Sequence, residues 1–159
     1  EGTPPHDQGA RGCFIGASQR TSKADVSRAV LEGITFAVAD SFDSVSELTA
    51  APIATLRICG GGAQSPFWRK LMADVLGRDM STTTATGGAA FGAALLAAVG
   101  GAAFGSIEEA CEALVHETAC VRPDAVTTQR YADLRVIHRR LAGDLRARFA
   151  ELALLDLSD

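Results

Sequence analysis

The chain has 159 residues, 47% hydrophobic and 21% charged, with a formal net charge of −4. That balance suits an ordinary globular domain with one substantial core, and it removes the electrostatic case for nucleic-acid or membrane partners. No apolar run is long enough to span a bilayer, because the stretch from Ala89 to Phe104 is short, mildly apolar and broken by glycine. The first residues do not read as a secretory n-region and h-region.

The sequence begins at Glu1, without Met, inside the turn-rich run Glu1-Gly2-Thr3-Pro4-Pro5-His6-Asp7. The expectation is therefore a piece of a longer protein. Residues 1–21, with Pro4, Pro5, Gly2, Gly9, Gly12 and Gly16, read as loop. Ser22 and Asp25 then have the spacing of a capping box. Val26, Ala29, Val30, Gly33, Ile34, Ala37, Val45 and Leu48 follow at helical spacing and predict an amphipathic helix to about Leu48. Gly33 is expected to admit a neighbouring element, since a mid-helix glycine costs about 1 kcal/mol relative to alanine.

Pro52 breaks the chain before a predicted strand over 54–59. The run Gly60-Gly61-Gly62-Ala63-Gln64-Ser65-Pro66 comes next, with Ser65 as N-cap and Pro66 as first residue of a helix that closes at Gly77. Strand, side-chain-free backbone and helix N-terminus form a shape suited to phosphate. Consecutive glycines also make plain tight turns, and local pattern leaves both readings open. Phe67 and Trp68 read as core. A second strand is expected over Asp79–Ala85, then a turn at Thr86-Gly87-Gly88 and an alanine-rich helix near 89–99, small enough in its side chains for tight burial between layers.

A further capping box opens at Ser106 for a helix to about Val115, followed by an edge strand from Thr118 to Arg122 ended by Pro123. The last helix, 125–155, repeats Leu134, Ile137, Leu141, Leu145, Phe149 and Leu152 on one face. That face suits an interface, including a homodimer, as well as a core. The opposite face carries Arg130, Arg135, Arg139, Arg140, Arg146 and Arg148 with Asp133, Asp144 and Glu151, and its mixed signs read as solvated. The element order is α/β, with few strands for a complete sheet.

Catalytic signatures are sparse. No Walker pattern, dinucleotide fingerprint or nucleophile-elbow serine occurs, and His6, His116 and His138 are scattered. Asp7, Glu32, Asp40 and Asp74 have ordinary readings as loop, helix-face or capping residues. Of the four cysteines, Cys59 reads as a small hydrophobe in an apolar strand. Cys111, His116 and Cys120 lack a fourth ligand and the usual close spacing for zinc, so reduced structural cysteines in a cytosolic protein are expected.

Three stretches carry a resemblance. Glu1-Gly2-Thr3-Pro4-Pro5-His6-Asp7-Gln8-Gly9-Ala10-Arg11-Gly12 resembles an E-R-T-P-x-x-D-x-x-A-R-G segment, with Gly2 in place of the arginine. The loop Gly12-Cys13-Phe14-Ile15-Gly16, with Ala17 in place of an aliphatic residue, precedes Ala29-Val30-Leu31-Glu32-Gly33, similar to a G-x-F-x-G loop and an A-x-x-E-G helix. Gly60 to Arg69 is similar to G-G-G-A-x-S-x-x-W-R, followed by Gly92-Ala93-Ala94. Together these resemble the C-terminal domain of the FGGY family of carbohydrate kinases, in its xylulokinase branch.

The resemblance implies an actin-like, ribonuclease-H-like ATPase domain over 1–159, without the N-terminal sugar-binding domain. It implies ATP with Mg²⁺ on its phosphates in a cytoplasmic kinase that phosphorylates a sugar hydroxyl, with D-xylulose the leading substrate. Ribulose, another pentulose or a polyol are the alternatives, and a non-catalytic actin-like module is a further one. By motif, Gly61, Gly62 and Ala63 should lie against the α-phosphate and ribose, and Gln64, Ser65 and Pro66 should border the adenine. Pro66 stands where some relatives carry a polar amide. The catalytic aspartate and sugar contacts would belong to the N-terminal partner domain, so this stretch alone is expected to be inactive.

Overall fold

The computed structural model describes residues 11–49, 53 and 56–155. The opening motif up to Ala10, Pro52 and the first part of the predicted strand lie outside the described residues. The chain divides into two compact units, one formed by residues 1–52 and 126–159 and the other by 53–125.

The first unit is built on two long helices, α1 (Lys23–Leu48) and α5 (Ala125–Leu154, of which the portion from Val126 belongs here). The capping box of α1 forms as expected: Ser22 Oγ accepts from the Asp25 N–H at 3.2 Å and Asp25 Oδ2 accepts from the Ser22 N–H at 2.9 Å. The bond from the Ser22 backbone, helped by its hydroxyl, holds the Asp25 carboxyl below the usual range. Phe36 and Ala39 are buried on α1 and Tyr131 on α5, with the Phe36 and Tyr131 rings edge to face at 6.1 Å. Thr35, fully buried, satisfies its hydroxyl on the Leu31 carbonyl one turn back, at 2.7 Å.

Polar side chains tie the two helices. Tyr131 donates its hydroxyl to Glu32 Oε1 at 2.7 Å and accepts from Arg28 Nη2 at 2.9 Å. Arg135 Nη2 donates to Asp40 Oδ1 and Asp43 Oδ2 at 2.6 and 2.7 Å, and Arg139 reaches the same two carboxylates. Burial works to raise Asp40, but the hydrogen bonds and charges of Arg139 and Arg135 outweigh it and hold the carboxyl below its ordinary value. The charged face of α5 is thus not simply solvated: the Arg135 side chain is only 13% exposed.

The apolar stripes of α1 and α5 do not close into a core. Val26, Val45 and Leu48 are exposed. Val30, Ile34, Ile137, Leu141 and Phe149 instead line a cavity of about 660 Å³, with Phe14 at its rim. Gly33 lines the same space, and among the described residues nothing lies within 4 Å of where its Cβ would be, so none of them uses the approach it offers.

The second unit holds a three-stranded sheet in the order β1 (Leu56–Arg57), β2 (Met80–Thr83), β3 (Glu117–Val121). β1 and β2 are parallel, with Leu56 opposite Met80, and β2 and β3 are antiparallel, with Met80 opposite Val121. Between β1 and β2 runs α2 (Pro66–Leu76), the parallel crossover that such a pair requires. Its buried Met72 and Ala73 pack with Met80, and Leu56, Ile58, Trp68, Leu76 and Val121 close around them. Gly77 ends α2 in the left-handed conformation at φ 62°, where glycine carries no Cβ penalty. Asp74, also buried, accepts from Lys70 Nζ at 2.6 Å and from the Asp124 N–H at 2.7 Å.

Three expectations change here. Phe67 is 47% exposed rather than core, because it lies on the outer side of the first turn of α2. Cys59 lies past the end of β1 and is exposed. α3 (Ala89–Gly100) buries only Leu95 and leaves Leu96 65% exposed. It packs on α4 (Ile107–Leu114), where short alanine side chains bury little area. Ser106 caps α4 through the Glu109 N–H, while Glu109 Oε2 reaches back to the Gly105 N–H at 2.7 Å rather than closing the box on Ser106.

Candidate functional site

The expected site residues form one continuous turn at the carboxyl end of β1. The backbone leaves the strand through Ile58, whose N–H still donates to the Ser81 carbonyl at 2.9 Å, and reverses at Gly60 with φ 84°. That value suits glycine and strains any residue with a Cβ. Gly61, Gly62, Ala63 and Gln64 then make one turn of 3₁₀ helix. It is closed by Ala63 N–H to the Gly60 carbonyl and Ser65 N–H to the Gly62 carbonyl, both at 3.1 Å. Ser65 Oγ accepts from the Trp68 N–H at 3.3 Å and so caps α2, and Pro66 occupies the first helical position, where its missing N–H costs nothing.

Within this turn the six residues have different environments. Gly61, Gln64 and Pro66 are exposed, Gly62 and Ser65 are half-buried, and Ala63 is buried. A Cβ on Gly61 would meet nothing within 4 Å, so its backbone is open to a ligand. A Cβ on Gly62 would stand 2.9 Å from Trp68 Cζ3, so the indole ring occupies that side of the turn. The Ser65 hydroxyl is committed to the helix cap.

A second turn adjoins the first. β2 runs into Thr84–Gly88, and the Cβ position of Gly88 lies 4.0 Å from the Gly60 Cα. α3 starts there with Gly88 as N-cap and no side-chain cap bond. The turns leaving the carboxyl ends of two parallel strands therefore meet, with the positive end of a helix dipole beside them. In open α/β sheets this crevice is where ligands bind. Sequence pattern assigns site roles to Gly61–Pro66 and carries Arg69 only as the last residue of the motif, with no role given to it or to Gly88. Arg69 Nη1 donates to the Ala63 carbonyl at 2.8 Å. Its place one turn after Ser65, on the same side of α2, together with its position in the motif, is the signal the sequence offers.

Among the described residues no three His, Cys, Asp or Glu side chains gather in a way that could hold a metal ion, and no helix is long and apolar enough to cross a membrane.

Comparison with known proteins identifies the family and the fold. Residues 1–101 match the model of the FGGY family of carbohydrate kinases, C-terminal domain. The xylulose kinase of Staphylococcus xylosus is 35% identical over 141 residues, which is 89% of this chain and 29% of that protein. Among solved structures, xylulose kinase from Rhodospirillum rubrum superposes with a TM-score of 0.74 at 29% identity, covering 89% of this chain and 28% of that one. Gluconate kinase from Lactobacillus acidophilus shares the fold with a TM-score of 0.77 at 23% identity, over 92% of this chain and 29% of that one. The chain thus spans less than a third of the length of the relatives it matches. The fold is the α/β, actin-like ATPase fold of sugar kinases, and the chain belongs to the FGGY family of carbohydrate kinases, whose C-terminal domain it carries.

Proposed function

We propose that this chain supplies the ATP-binding surface of a cytoplasmic carbohydrate kinase that transfers the γ-phosphate of ATP to a hydroxyl of D-xylulose. The observation that carries the reading is the open backbone of Gly60 and Gly61 beside Gly88 at the carboxyl ends of β1 and β2. Side-chain-free backbone lets a nucleotide approach closely, and the N-terminus of α3 favours the negative charge of its phosphates. Gly61, Gly62 and Ala63 lie against the α-phosphate and ribose in this reading, and Gln64, Ser65 and Pro66 border the adenine. Ser65 contributes through its backbone, since its hydroxyl caps α2.

ATP arrives with Mg²⁺ on its phosphates, and the ion supplies charge neutralisation for phosphoryl transfer. The role of this chain is to bind and orient the nucleotide. The sugar and the base that deprotonates its hydroxyl belong to the N-terminal domain of the same kinase. Xylulose is preferred over other sugars because the xylulose kinases of Staphylococcus xylosus and Rhodospirillum rubrum resemble the chain over nearly nine-tenths of its length.

Calorimetric titration of ADP, with and without Mg²⁺, into the wild type and Gly61→Val tests the site. The variant should bind about tenfold more weakly at unchanged melting temperature, and equal affinity would remove the site assignment. Phosphorylation of D-xylulose and D-ribulose by the intact kinase tests the substrate, and faster turnover of ribulose would overturn it.

A further inference from the structure

Arg69 stands out among the charged side chains of the second unit. Its guanidinium donates to the Ala63 carbonyl at 2.8 Å, and its backbone N–H donates to the Ser65 carbonyl at 3.0 Å. Its Nε is buried without a partner, and among the described residues no carboxylate pairs with it. Of the other cations in the same unit, Arg57, Arg122 and Lys70 face a carboxylate and Arg78 is exposed to solvent. A half-buried guanidinium held by a carbonyl alone is an unusual expense in desolvation, which a carboxylate partner would normally offset.

The place of that carbonyl supplies the reason. Ala63 is the buried residue of the glycine turn, and its side chain cannot anchor the turn to α2 by more than a methyl group. Trp68 blocks one side at Gly62, while a Cβ on Gly60 or Gly61 would meet nothing within 4 Å. The turn therefore has a wall and a single long-armed tether. Glycine backbone without a tether samples many conformations, and holding it in one place lowers the entropy lost when a ligand is bound.

We propose that Arg69 is the positioning residue of the nucleotide-contacting turn, tethering Ala63 to α2 so that the open Gly60–Gly61 backbone is held ready for ATP. The inference rests on the nucleotide-binding reading above. Arg69 need not touch ATP; it acts through the turn. Lysine keeps the charge and can reach a carbonyl, whereas methionine keeps only the length and apolar stem.

Titration of ADP into wild type, Arg69→Met and Arg69→Lys, together with steady-state kinetics of the same variants in the intact kinase, tests this. Arg69→Met should weaken ADP binding about tenfold. It should raise KM for ATP by a similar factor while leaving kcat and KM for the sugar unchanged, a split that a general loss of stability would not produce. Arg69→Lys should restore affinity to within about threefold of wild type. Unchanged ADP affinity in Arg69→Met, with the wild type binding, overturns the positioning role and leaves the nucleotide site standing. Failure of both variants to fold makes Arg69 structural and also overturns it. Absence of ADP binding by the wild type removes the nucleotide site itself, and the role of Arg69 with it.

Discussion

The Trp68 indole lies so close over Gly62 that a Cβ there would stand 2.9 Å from Cζ3 and 3.0 Å from Cε3. Neighbouring Gly61 has open space in the same direction of substitution. Two adjacent glycines of one turn thus have different surroundings, one beneath a packed ring and the other beside open space. Gly62→Ala should cost about 1–3 kcal/mol of stability by forcing the ring or the turn to move, whereas Gly61→Ala should be near neutral. Urea denaturation of the two variants measures the difference, and equal stabilities would mean that the ring yields without cost.

Tyr131 joins α5 to α1 through its hydroxyl, between Glu32 and Arg28. Tyr131→Phe retains the ring contact with Phe36 and should lose about 1 kcal/mol from the missing hydrogen bonds. Burial, with Glu32 nearby, pushes the phenol above its ordinary value against the opposing influence of Arg28. A group whose folded value is raised contributes stability below its unfolded value and loses it as pH rises through the folded one. The gap between wild type and Tyr131→Phe should therefore narrow above about pH 10, which thermal melts across alkaline pH will show.

Asp40 has the opposite sign. Its carboxyl lies below the ordinary value because Arg139 and Arg135 outweigh its burial. Its contribution is complete above the unfolded carboxylate value and disappears as pH falls through the lower folded value. Asp40→Asn should be about 1–2 kcal/mol less stable at neutral pH, and the deficit should shrink below about pH 4. Denaturation at a series of acidic pH values checks both halves, and a deficit independent of pH would show that the ion pairs contribute nothing.

Asp74 holds two donors at once, Lys70 Nζ and the Asp124 N–H. Asparagine can keep the bond to Asp124 but loses the charge facing Lys70, which is half-exposed and free to reach water. Asp74→Ala should cost about 2 kcal/mol, because a backbone N–H loses its acceptor. Asp74→Asn should cost less than half of that. Equal losses in the two variants, measured by urea denaturation, would place the energy in the ion pair instead.

Much of the local structure was legible. The caps at Ser22, Ser65 and Ser106, the stop at Gly77 and the glycine turn all stand where residue type places them. Each depends on partners three or four positions away, so short-range pattern is sufficient. The turn's open side at Gly61, its wall at Trp68 and its tether at Arg69 were not legible as separate roles, because three neighbouring glycines look alike until a packed side chain distinguishes them.

By itself, then, the sequence determined where helices begin and end, the α/β order and the family motifs, since hydrogen-bond geometry along the backbone is set by near neighbours. The tertiary structure alone decided which surfaces are used. Arg135, on a face read as solvated, and Asp40, read as an ordinary loop, helix-face or capping residue, are 95 positions apart and meet at 2.6 Å, while Val30 and Ile34, on the apolar face of a predicted amphipathic helix, line a cavity. Periodicity defines a helix face without naming what lies opposite it, and in this protein that opposing surface determines both burial and charge pairing.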